Sequence, residues 1–179
     1  MLSKNRIKEA EANVIQYLRE GLLKKKKHKT AQKTYSENCE LSLETAKRLL
    51  AMEDAAYKPY LWVIVVSYYA MYYIANAVLL EIGYKVGTRI SHKVTAESLI
   101  VFVRNKLKAE LIENYEEASE EALGLISSRV DALIESFECE RAKRSKFQYR
   151  MDEKLKRSKA ITSFSRAKSF VFEMKKLLP

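Results

Sequence analysis

The sequence predicts an all-α protein, an antiparallel up-and-down helical bundle, and three observations carry that prediction. Gly numbers 4 and Pro 2 among 179 residues, about 30% of the usual frequency and too few for the many turns of a sandwich or barrel. Apolar residues recur at spacings of three and four along most of the chain, the period of an amphipathic helix. The connections between these stretches are short, with no Pro/Ser-rich linker and no internal repeat, as in a bundle. Neither G-x-G-x-x-G nor G-x-x-x-x-G-K occurs, which argues against the Gly-rich phosphate loops of dinucleotide-binding and Walker-type folds.

Six helical segments follow in order. The first runs from about Asn5 to Leu23, with Ile7, Ala10, Val14, Leu18 and Leu22 on one stripe, and gives way to the unpatterned run Lys24–Lys29. That run reads as a solvated turn. The second begins near Ser36, an N-cap candidate, and carries Cys39, Leu43, Ala46 and Leu50. The third spans about Lys58 to Ile82, with Pro59 in its first turn and Gly83 as its stop. The fourth, from about Thr95 to Tyr115, places Ala96, Leu99, Val103, Leu107 and Leu111 on one face. The fifth starts at Ser119 with Glu120 and Glu121, acids suited to a helix N-terminus, and bears Ala122, Ile126, Val130, Leu133 and Phe137. The sixth runs from about Ala160 to Leu178. Residues 1–34 divide off as a basic N-terminal extension, and residues 35–179 form the bundle.

Charge and chemistry-bearing residues narrow the function classes. Lys and Arg total 33 against 23 Asp and Glu, a net +10 that favours phosphate or another anionic surface. Residues 1–34 hold 10 Lys/Arg and 3 Glu, a local +7, and residues 137–159 hold 9 Lys/Arg and 4 Asp/Glu, a local +5. Between them, residues 109–121 carry six Glu and no Lys or Arg. Cys39 and Cys139 make no C-x-x-C, and His28 and His92 have no second ligand at metal spacing, so neither a metal nor another cofactor is expected. The 22 residues Pro59–Leu80 lack a formal charge, and a helix of that length spans about 33 Å. Tyr68, Tyr69, Tyr72 and Tyr73 fall in its middle, where a bilayer offers hydroxyls no partner. A central helix of a soluble, cytoplasmic bundle, with no membrane contact, is the expectation.

The end of the fifth helix carries the candidate site. Continuing its apolar stripe past Phe137 by steps of four, three and four reaches Arg141, Arg144 and Gln148. A core-building face thus turns into a basic, hydrogen-bonding one. Arginine there suits phosphate, because its planar donors match phosphate oxygens. The same residues also satisfy a plain structural role, since cations in a last helical turn complement the helix dipole.

The stretch Ser67-Tyr-Tyr-Ala-Met-Tyr-Tyr-Ile-Ala-Asn-Ala-Val-Leu-Leu80, followed by Gly83, resembles the second core helix of HEPN (higher eukaryotes and prokaryotes nucleotide-binding) domains. Ser91-His92 matches the Thr/Ser-His pair of the loop that follows. Arg144-Ser-Lys-Phe-Gln148-Tyr149 stands where the family has an Arg with a polar residue and Tyr downstream, and the sixth segment resembles its terminal helix. The likeness covers roughly residues 36–178, and the ordered combination carries it. It implies a four-helix core with one added N-terminal helix. It further implies nucleotide or RNA phosphate bound by Arg141, Arg144, Gln148 and His92, a minimal nucleotidyltransferase as partner in a toxin–antitoxin-like pair, and a homodimer. Many members are metal-independent ribonucleases with an Arg-x4–6-His motif. Here the histidine position is Tyr149, and a phenol with an ordinary pKa of about 10 is a poor base at neutral pH. If cleavage survives, the resemblance gives the catalytic roles to Arg144 and Tyr149, with His92 as another source of proton transfer. The alternative is a non-enzymatic bundle that binds proteins, or nucleic acid nonspecifically.

Overall fold

The structure, a computed structural model, describes residues 2–52, 58–142 and 157–179. Among them six helices run in the order α1 (Lys4–Arg19), α2 (Lys29–Leu50), α3 (Tyr60–Glu81), α4 (Ser91–Phe102), α5 (Ala109–Ala142) and α6 (Arg157–Lys175). Two short strands, β1 (Leu23–Lys25) and β2 (Tyr84–Val86), follow α1 and α3. The all-α bundle expected from composition is what forms, with this two-stranded ribbon added.

Helix α3 is the hub. Fifteen of its 22 residues are buried, because α2, α6, α5 and α4 pack around it. By length and composition it is apolar enough to cross a membrane, and 78% of its most apolar window is buried inside the bundle. Each fully buried Leu, Ile or Met there contributes about 1.5–3 kcal/mol. Gln32 at the start of α2 donates to Glu81 at the end of α3 at 2.8 Å, so these two helices are antiparallel. Helices α5 and α6 are antiparallel too, since Arg166 pairs with Glu117 at 2.9 Å while Phe170 meets Tyr115 at a centroid distance of 5.4 Å. An ion pair between Lys175 and Glu40 ties α6 to α2.

Helices α1 and α3 end alike. Gly21 (φ 72°) and Gly83 (φ 94°) each supply the positive φ that stops the helix, and a strand begins within two residues of each. The strands pair antiparallel with Leu23 opposite Val86, Lys24 opposite Lys85 and Lys25 opposite Tyr84. Backbone bonds from Gly87 to Leu22 (2.8 Å) and from Lys26 to Gly83 (2.9 Å) extend the ladder at both ends. Residues 1–34 share the common core through Ala10, Val14, Tyr17 and Leu23, and residues 29–34 are the first turns of α2.

Four boundaries depart from the sequence expectation. The lysine run is no loose turn, because Lys24 and Lys25 lie in β1. Helix α2 begins at Lys29 rather than near Ser36, since the His28 ring caps it, Nδ1 accepting from the Ala31 amide at 3.1 Å. The fourth helix starts at Ser91 and stops at Phe102, and a 3-10 turn at Arg104–Lys106 breaks the stripe assigned to one helix. Helix α5 then starts at Ala109, so Ser119 is an interior position and not an N-cap.

Candidate functional site

Among the described residues, the chemistry gathers where the first turn of α4 meets the tyrosine run of α3. The approach is strained. Ile90, just before α4, adopts φ 44° and ψ 33°, a left-handed conformation that a β-branched side chain resists. Helix α4 is anchored at Thr95, which donates to the Ser91 carbonyl at 2.8 Å and accepts from Asn76 of α3 at 3.2 Å. His92 is thereby set against α3, with its ring 4.5 Å from that of Tyr72, 5.6 Å from Tyr68 and 5.9 Å from Tyr69.

A hydrogen-bonded chain runs inward from the histidine. His92 Nδ1 lies 2.6 Å from the Tyr68 hydroxyl, and Ser119 on α5 donates to that same hydroxyl at 3.0 Å. With Ser119 as donor, the Tyr68 hydroxyl keeps one hydrogen and a second lone pair, so it pairs with Nδ1 in either imidazole tautomer, as donor when the ring proton is on Nε2 and as acceptor when it is on Nδ1. Burial lowers the His92 pKa below its ordinary 6.5 and pushes Tyr68 up to about 12. Tyr115, wholly buried beside Tyr68, is raised well above 10 for the same reason. Its hydroxyl makes no well-formed hydrogen bond. At neutral pH the cluster is therefore uncharged, with His92 half-buried at its outer end. With the proton on Nε2 the ring offers a donor, as to a phosphate or carbonyl oxygen, and with the proton on Nδ1 it offers the Nε2 lone pair, as a base does.

Tyr68 and Tyr72 are buried packing residues, while Tyr69 and Tyr73 remain partly exposed. Cys39 is fully buried, and burial lifts its thiol to about 12, which makes it a poor nucleophile. Arg144, Gln148 and Tyr149 lie outside the described residues, and Arg141 is described only as a helical position near the end of α5. His92 is thus the one sequence-assigned site residue whose surroundings are described. Ser119 and Tyr115 were not foreseen as partners of Tyr68, through which they reach His92. Their spacing of four on one helix was the available signal, hidden by starting that helix too late.

A second polar cluster lies further along α4. Glu97, 1% exposed, accepts from Arg6 at 3.1 Å, Asn13 at 3.0 Å and Tyr17 at 2.7 Å. Arg6 also donates to Glu116 at 2.8 Å. Burial works against the Arg6 charge, but its bonds to Glu116 and Glu97 outweigh this and raise its pKa. Among the described residues no group of three or more His, Cys, Asp or Glu is placed to hold a metal ion. Comparison of the chain with family models, with curated proteins and with solved structures finds no match.

Proposed function

We propose that this chain is a HEPN-type helical module that binds nucleotide or RNA phosphate and works with a minimal nucleotidyltransferase partner in a toxin–antitoxin-like pair, as a cytoplasmic homodimer. The observation that carries this reading is the seating of His92, from the Ser-His pair, on the tyrosine run of the central helix. Those are two of the features on which the resemblance rests, and they meet in space. In this reading Arg141 and Arg144 supply the charge for phosphate and Gln148 a hydrogen bond. Neutral His92, in its Nε2–H tautomer, supplies a further donor.

Binding without cleavage is the expected behaviour, because Tyr149 replaces the motif histidine. A metal-free RNA-cleavage assay on wild type and Arg144→Ala tests that point, and neither protein should cut. Cleavage by the wild type that Arg144→Ala abolishes would make the chain a ribonuclease instead. One observation favours the purely interacting bundle: Leu41 and Phe172 are 65% and 63% exposed. Copurification of a partner, with no nucleotide bound by either component, would support that reading.

A further inference from the structure

The ribbon formed by β1 and β2 concentrates positive charge in a way the fold does not require. Residues 23–29 contribute Lys24, Lys25, Lys26, Lys27 and Lys29, and residues 84–93 contribute Lys85, Arg89 and Lys93, with no Asp or Glu in either segment. Pairing brings the two segments side by side. Leu23 and Val86 are opposite one another and buried, which fixes the inward face. By strand alternation Lys24, Lys26 and Lys85 belong to the other face. Lys24 and Lys26 are exposed and Lys85 partly so.

Lys24 stands directly opposite Lys85, where side chains start about 5 Å apart and like charges weaken a ladder. Among the described residues only Lys27 of the eight cations has a carboxylate partner, Glu81 at 3.8 Å. A two-stranded ribbon is marginal by itself, so an unrelieved like-charge pair in it calls for an anion outside the fold. We propose that this ribbon is a docking surface for the phosphodiester backbone of a nucleic acid, contacted through Lys24, Lys26 and Lys85 without base readout.

Three observations select that occupant. The contacts offered are amines, the groups that position a backbone and carry no sequence code. The outward positions of the paired strands are lysines, and Ile90 is the single exposed apolar side chain in the two basic segments, whereas a membrane-surface element needs an apolar face. A second copy of this chain is a weaker match, because three of the six Glu in its acidic stretch, Glu116, Glu117 and Glu121, are already bonded to Arg6, Arg166 and Ser163. The surface is independent of the Arg144 reading, and either can fail alone.

The test is fluorescence anisotropy of labelled oligouridylate and oligothymidylate with the full chain, titrated between about 50 and 200 mM salt. The comparison variant is the triple substitution Lys24→Gln, Lys26→Gln, Lys85→Gln. Wild type should bind, with log affinity falling linearly with log salt. The triple variant should lose about 2 from the magnitude of that slope, at about 0.7 per phosphate contact. The corresponding Lys→Arg triple should keep wild-type binding, and thermal unfolding should show the Gln triple folded, since its like-charge pair is relieved. Stronger binding of the ribose oligomer assigns the surface to RNA, and equal binding to either backbone. No binding by wild type would overturn the proposal, as would an unchanged slope in the Gln triple. Equal or tighter binding to phosphatidylserine vesicles or to polyglutamate would overturn it as well.

Discussion

Glu97 and His92 sit on the same short helix, and the polar groups around them are finished to different degrees. Around Glu97 three donors from α1 converge on one buried carboxylate, and Arg6 bridges onward to Glu116. The cluster ties the first helix to the fourth and fifth. Around His92 the chain Ser119–Tyr68–Nδ1 is complete on the inside, while Nε2 has no partner among the described residues and the Tyr115 hydroxyl is poorly satisfied. A fully paired buried network stabilises one structure. A network that ends in an unpaired nitrogen on a half-buried ring leaves a group free to meet a ligand. The difference separates a fastening from a candidate site on one element.

Breaking the fastening should have the largest effect. Glu97→Ala strands the buried Tyr17 hydroxyl and removes one of the three carboxylate partners of Arg6, and should cost about 3 kcal/mol in urea unfolding. Glu97→Gln keeps an acceptor and should cost less. A loss below about 1 kcal/mol for Glu97→Ala would remove the distinction between the clusters.

Tyr68→Phe comes next. It keeps the ring packing but deletes the hydroxyl paired with His92 and Ser119, for about 1–2 kcal/mol. Burial lowers the His92 pKa and persists in this variant, so NMR titration should still place it below 6.5, while the ring-nitrogen shifts should report a changed tautomer balance. Unchanged ring-nitrogen shifts would mean that the 2.6 Å contact does not set the tautomer.

The pH effect is the smallest. Because the folded His92 pKa lies below 6.5, the unfolded chain binds the proton first as pH falls. The stability due to neutral His92 is then complete above about 6.5 and is lost as pH drops through the lowered folded value. His92→Gln should flatten the stability curve in that window, as followed by thermal unfolding, and should leave the curve above neutrality unchanged.

Much of this fold was legible in the sequence. The scarcity of Gly and Pro and the tyrosine-rich α3, uncharged up to Leu80, gave the bundle and its hub, and Gly83 gave the end of that helix. The ribbon was not legible, because Lys24–Lys26 carry no period of their own and their backbone partners, Gly83–Val86, lie in a distant part of the chain. The break at Val103–Lys108 was hidden for a different reason. Val103, Leu107 and Leu111 all pack on the core, so the stripe keeps its phase across a turn that is not α-helical. Of the site, His92 was found from its pairing with Ser91. Its dependence on Tyr68 and Ser119 needed the packing of α3 against both α4 and α5.

The central claim, a phosphate-binding module organised around Arg144, is tested most directly by nucleotide-dependent thermal unfolding of wild type and Arg144→Ala. A nucleotide at a hundredfold excess over its Kd should stabilise the wild type by about 2.7 kcal/mol, a rise in Tm of about 5–10 °C for a chain of this length. Arg144→Ala should unfold at the wild-type temperature without nucleotide and gain little with it. An equal rise in both proteins, or none in the wild type across the nucleotides tried, would contradict the account.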